Sequence, residues 1–84
     1  MKQFEEFLVA SLAELLEVGP SEISVTQPLG EQGVDSLIVL RLARKIQDRT
    51  GEEFEPEWIL DQPTITQLAG FLDQRSVTVK HISI

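Results

Sequence analysis

Apolar side chains recur every three or four residues along most of this chain, a period that predicts helices rather than strands. Phe4, Phe7, Leu8, Leu12, Leu15 and Leu16 form one stripe, with Glu5, Glu6, Glu14 and Glu17 mostly turned outward. A first helix is therefore predicted from about Lys2 to Val18. Gly19-Pro20 is expected to stop it, glycine supplying a left-handed cap and proline refusing continuation. The next stretch, PSEISVTQPLGEQGV, holds two prolines, two glycines and only four aliphatics, Ile23, Val25, Leu29 and Val34. It reads as a long structureless connection, pinned across the helices by those aliphatics, and connections of this length are often functional. A second helix is predicted from Ser36 to about Thr50, with Asp35 as its N-cap and Gly51 as its stop. EFEPEWILDQ offers one short helical turn, opened by Pro56 and closed before Pro63. A last helix starts at Thr64, where Thr64 and Gln67 have capping-box spacing, and buries Ile65, Leu68, Ala69 and Leu72. The closing VTVKHISI is β-prone but has no partner strand in the sequence. These elements predict an all-α fold of four helices in one domain, residues 1–75, followed by a tail or linker at 76–84. Leu12, Leu15, Leu42, Ile46, Ile65 and Leu72 are the expected core.

The second helix has more apolar residues than one buried face requires. With Ser36 at zero and about 100° per residue, Val39, Leu42, Ala43, Ile46 and Thr50 cluster on one side. Leu37, Leu40, Arg41, Arg44 and Asp48 fall on the opposite side, and Ile38 lies between Lys45 and Arg49. Single exposed aliphatics are ordinary on any surface. Aliphatics rimmed by arginine are the composition of an interface, and Ser36 borders this same face. Leu37, Leu40, Arg41 and Arg44 are therefore the expected docking surface for partner proteins.

Composition narrows the function. A domain of 84 residues hides roughly 60–65% of the surface its unfolded chain exposes, for a stability near about 5 kcal/mol. That leaves little room for a deep catalytic cavity. The absence of cysteine excludes disulfides and thiolate metal sites, and fits a cytoplasmic protein. No apolar run approaches the ~20 residues of a membrane span, and the N-terminus has no signal-peptide pattern. A net charge of −7 repels nucleic acid and anionic membranes. Four of the seven basic residues, Arg41, Arg44, Lys45 and Arg49, lie together, leaving the rest of the chain strongly acidic. Docking by charge complementarity is one consequence; a solvated helix face is the plainer one.

The most specific feature is Gly33-Val34-Asp35-Ser36-Leu37. Glycine permits a tight backbone turn, Asp35 caps the helix, and Ser36 occupies its first position with the hydroxyl facing solvent. An Asp-Ser pair alone marks no more than a helix start. Here it follows an amphipathic helix and a loop ending in Pro28-Leu29-Gly30, and precedes Leu60-Asp61-Gln62-Pro63-Thr64-Ile65 before a final helix. That whole order resembles the acyl carrier protein family over roughly residues 3–73, most closely the carrier domains of modular polyketide synthases.

The resemblance implies a non-catalytic, monomeric carrier. A phosphopantetheinyl transferase would move the 4'-phosphopantetheine of coenzyme A onto Ser36, with Asp35 and Leu37 flanking the attachment site for recognition. The arm's thiol would carry acyl groups as thioesters between ketosynthase, acyltransferase or tailoring enzymes. Carriers of dissociated fatty-acid systems usually place acidic residues along helix two, whereas this chain has Arg41, Arg44 and Lys45. Some β-branching polyketide carriers have tryptophan six residues after the serine; Leu42 stands there, and the one tryptophan is Trp58. No β-branching role is expected.

Three rivals remain. Peptidyl carrier domains of nonribosomal peptide synthetases share the arm but tend towards GGxS, and Val34-Asp35 favours the acyl class. A serine hydrolase needs a base, and the one histidine, His81, lies in the tail, with no G-x-S-x-G in the sequence. A helical adaptor with Ser36 unmodified would use the same second face. Calcium loops and phosphate-binding loops fail for want of their ligand spacing.

Overall fold

The computed structural model describes residues 2–82, and side-chain surroundings for residues 4–75. Four α-helices and two 3₁₀ turns make up the fold, with no strand among the described residues. Helix α1 spans Lys2–Leu16, α2 Ser36–Thr50, α3 Pro56–Asp61 and α4 Ile65–Ile82. The 3₁₀ turns, Pro20–Glu22 and Leu29–Gln32, divide the connection expected to be structureless. α1 packs against both α2 and α4, and α3 packs against α2.

One core joins these elements. Phe4, Leu8 and Leu12 of α1 meet Val39, Leu42, Ala43 and Ile46 of α2, Ile59 of α3, and Ile65, Leu68, Ala69 and Leu72 of α4. Five of the six expected core residues are buried, but Leu15 is only half-buried. It lies in the last turn of α1, packing on the edge of the cluster just before the chain departs. Phe54, from the α2–α3 connection, is buried instead, with its ring edge-on to Trp58 at 5.1 Å and to Phe71 at 6.2 Å. Arg75 closes this aromatic group from outside, its guanidinium 4.5 Å from the Trp58 ring centroid.

α1 ends earlier than its apolar stripe implies. Glu17, not Gly19, takes the left-handed conformation, with φ 60. Val18 N donates to Ala13 O at 3.0 Å and Glu17 N to Glu14 O at 3.3 Å, which is the Schellman pattern. Gly19 is extended, with φ −74, because Pro20 already fixes the turn behind it. A side chain at φ 60 costs about 1–2 kcal/mol relative to its helical conformation, a penalty that glycine does not carry. Glu17→Gly is expected to raise stability by about 1 kcal/mol, read as a higher urea midpoint with an unchanged slope.

The long connection is fastened as its aliphatics imply. Leu29 is buried, and Ile23, Val25 and Val34 pack against the core. Leu29 N donates to Pro63 O at 2.8 Å, while Thr66 N and Thr66 Oγ1 both donate to Val25 O at 3.0 Å. Gln32 ties the loop internally: its amide oxygen accepts from Ser24 N, and its amide nitrogen donates to Ser24 O and Gln27 O. A long loop with its backbone groups bonded this way behaves as part of the scaffold.

α4 starts at a Thr64 cap, with Gln67 N donating to Thr64 Oγ1 at 3.2 Å. The reciprocal half of the box differs, since the Thr64 hydroxyl donates to the Gln67 side chain. The backbone of α4 continues as helix to Ile82, through most of the segment expected to be a tail. Extending an existing helix needs no new nucleus, so local β-propensity is a weak opponent there. Residues 83 and 84 of that tail lie outside the described residues.

Candidate functional site

The loop delivers the chain to α2 through a left-handed glycine. Gly33 has φ 95 at the end of the Leu29–Gln32 turn, a conformation any side chain would strain. Val34 N donates to Leu29 O at 3.2 Å, so the turn hangs from the buried Leu29. Asp35 is extended and caps α2, Oδ1 accepting from Ile38 N at 3.0 Å. Its backbone oxygen accepts from Val39 N at 2.9 Å, the first bond of the helix. Ser36 is thus held at the first helical position, exposed, and among the described residues nothing hydrogen-bonds its hydroxyl.

The positioning is rigid on one side and open on the other. Val39, one turn into the helix, is buried in the core, while Leu37 and Leu40 remain 54% and 55% exposed. Arg41 is exposed and makes no contact of charge or hydrogen bonding among the described residues. Arg44 is exposed too, its one ion pair a loose 3.7 Å contact with Asp48. Leu37, Leu40, Arg41 and Arg44 therefore share one solvent-facing surface beside Ser36. Ile38 does not join it: half-buried, it packs against the core edge.

The basic island seen in sequence is split by the fold. Lys45 Nζ donates to Glu14 Oε1 of α1 at 2.6 Å, and the Arg49 guanidinium stacks 5.2 Å from the Phe7 ring centroid. Both cations are spent tying α2 to α1. The hydrogen bond from Lys45, and then its charge, hold the Glu14 carboxyl below its ordinary value. A lowered folded-state value gives a contribution present above the unfolded value and lost as pH falls through the folded one. Lys45→Met is therefore expected to lower the unfolding midpoint near about pH 7 and to converge with wild type near about pH 2. A gap that persisted in acid would place the role of Lys45 in packing instead.

Leu60, on α3, is 68% exposed, more than any other large apolar side chain described. Sequence periodicity missed it, because a six-residue helix is too short to separate Leu60 from the buried Ile59. No group of three potential metal ligands occurs among the described residues, and the His81 side chain that a hydrolase would need lies outside them. Among the described residues, no helix is long and apolar enough to cross a membrane.

The domain thus presents one exposed serine, without a hydrogen-bond partner among the described residues, at the head of its second helix. Residues 6–72 match the family described as phosphopantetheine attachment site, and the chain belongs to that family of carrier domains. It is 29% identical over 70 residues to the non-reducing polyketide synthase rdc1 of Metacordyceps chlamydosporia, aligning 83% of this chain with 3% of that protein. It is 33% identical over 73 residues to the erythronolide synthase EryA2 of Saccharopolyspora erythraea, aligning 86% of this chain with 2% of that one. The chain thus spans only a few hundredths of the length of these curated relatives. Among solved structures it is similar to a free-standing peptidyl carrier protein from an uncharacterized Acinetobacter baumannii secondary metabolic pathway, with TM-score 0.83 and 29% identity over 86% of this chain and 90% of that one. It is also similar to the HMG-ACPI domain from the CurA module of Lyngbya majuscula, with TM-score 0.79 and 27% identity over 84% and 72% of the two chains.

Proposed function

We propose that Ser36 is the attachment residue, and that the chain carries acyl intermediates of polyketide biosynthesis as thioesters on that arm. The single observation behind this assignment is the exposed, unbonded Ser36 hydroxyl inside the Gly33–Leu37 motif. In the loading step Ser36 Oγ attacks the pantetheine-bearing phosphorus of coenzyme A; a P–O bond forms, the pyrophosphate bond breaks, and adenosine 3',5'-bisphosphate leaves. The hydroxyl proton goes to a base on the phosphopantetheinyl transferase. The product phosphodiester sits at the N-terminus of α2, where the helix dipole and unpaired N–H groups favour negative charge.

Ser36 would hold the arm, which would supply the thiol that a chain without cysteine lacks and keep the acyl group at high effective concentration near successive active sites. Asp35 and Leu37 flank the attachment point and serve recognition. Leu37, Leu40, Arg41 and Arg44 form the docking face for the transferase and for ketosynthase, acyltransferase or tailoring enzymes. The chain performs no chemistry of its own, acts as a monomer in the cytoplasm, and uses residues 1–75 as the carrier, with 76–84 as a tail or linker. A peptidyl cargo is the second reading, favoured by the likeness to the peptidyl carrier structure. The polyketide synthase relatives and the Val34-Asp35 sequence support the acyl one.

Intact mass after incubation with coenzyme A and a phosphopantetheinyl transferase tests the assignment. One phosphopantetheine mass is expected on the wild type and none on Ser36→Ala. A wild-type chain that stayed unmodified would leave the unmodified adaptor.

A further inference from the structure

We infer that the partner surface this chain docks on is an apolar socket edged with carboxylates, and that Arg41 and Arg44 alone carry this choice of charge. The inference rests on the carrier assignment above and adds the sign of the partner. Of the four cations in α2, two are withdrawn: Lys45 is bonded to Glu14, and Arg49 lies on Phe7. Arg41 and Arg44 are left facing solvent, one turn apart on the stripe that holds Leu37 and Leu40. Leu37 and Arg41, and Leu40 and Arg44, are i, i+4 pairs, so each exposed leucine stands one turn from an arginine.

The competing effect is the chain's own net charge of −7, which repels an acidic surface at long range. Screening decides between them. At physiological ionic strength charges separated by more than about 8 Å are largely muted, so the groups on the contact face dominate. Two carboxylates neighbour that face. Asp35 has Oδ1 engaged in the helix cap. Asp48 pairs weakly with Arg44. Arg41 has no counter-charge among the described residues, so it contributes the larger share. Arginine beside aliphatic side chains suits a carboxylate-rimmed socket, because its planar fork binds a carboxylate through two hydrogen bonds.

The test uses the full chain with two phosphopantetheinyl transferases, one with an acidic carrier-facing surface and one with a basic one. Wild type should favour the acidic-faced enzyme by about tenfold in kcat/KM at about 0.15 M salt, where the net charge is screened and the contact face decides. Arg41→Glu/Arg44→Glu should reverse that ranking, Arg41→Gln/Arg44→Gln should abolish it without reversing it, and about 0.5 M NaCl should shrink every difference. A ranking that the charge reversal leaves unchanged, while all variants load to completion and give wild-type circular dichroism, overturns the inference alone. Failure of every chain to load with either enzyme overturns the Ser36 assignment, and the inference with it.

Discussion

Ile46→Ala is expected to cost about 3–4 kcal/mol and to leave a domain of this size close to its unfolding midpoint in plain buffer. Ile46 has 0% exposure and lies in the middle of α2, packed in the cluster that α1, α3 and α4 share. Truncation removes three carbons' worth of buried surface and opens a cavity that the three surrounding helices close only partly. Leu40→Ala is the control. It sits on the same helix, yet at 55% exposure it should cost no more than about 0.5 kcal/mol. Urea denaturation followed by the emission of Trp58 measures both, since that ring sits against Phe54 and Phe71 at the edge of the same core. A cost below about 1 kcal/mol for Ile46→Ala would mean that α2 does not face the interior as described.

The parts of the fold legible in sequence are those set by interactions within a few residues. Asp35 caps α2, Gly51 closes it at φ 75, and Pro56 opens α3, each where local chemistry places it. The limits appear where distant residues decide. Gly19-Pro20 is the stronger local stop signal, yet the chain turns at Glu17, and a proline three residues past the left-handed position suits a Schellman end equally well. Phe54 sits among glutamates in EFE, and nothing local marks it as buried; its burial comes from Trp58 and Phe71 across α3 and α4.

The site shows the same division. The motif places Ser36 at a helix start, which the fold confirms, and a helical wheel finds Leu37, Leu40, Arg41 and Arg44 on one face. A wheel cannot see across elements, however. The wheel sets Lys45 beside Ile38 and off the docking face, and only the contact with Glu14, 31 residues away, shows where its charge goes. Ile38 is off that face on the wheel as well, and the fold adds the core edge that it meets. Leu60 required the fold outright, since a single exposed leucine next to a buried isoleucine has no periodic signature in so short a helix.

Ser36→Ala is expected to abolish loading completely while leaving the unfolding curve within about 0.5 kcal/mol of wild type. The two effects separate because the hydroxyl is exposed and bonded to nothing described, and alanine is favourable at the first helical position. A structural serine would behave otherwise, since losing a cap costs about 1 kcal/mol, and here Asp35 holds that role. Asp35 therefore supplies the complementary test. Asp35→Ala should lose about 1 kcal/mol with the cap, whereas asparagine caps as well as aspartate and should keep the stability. If Asp35 acts only through the helix start, Asp35→Asn will load at the wild-type rate. Loading that falls in Asp35→Asn at unchanged stability would show that the carboxylate is read by the transferase. Loading of Ser36→Ala at any other hydroxyl would remove Ser36 from the scheme, whatever the stability of the variant.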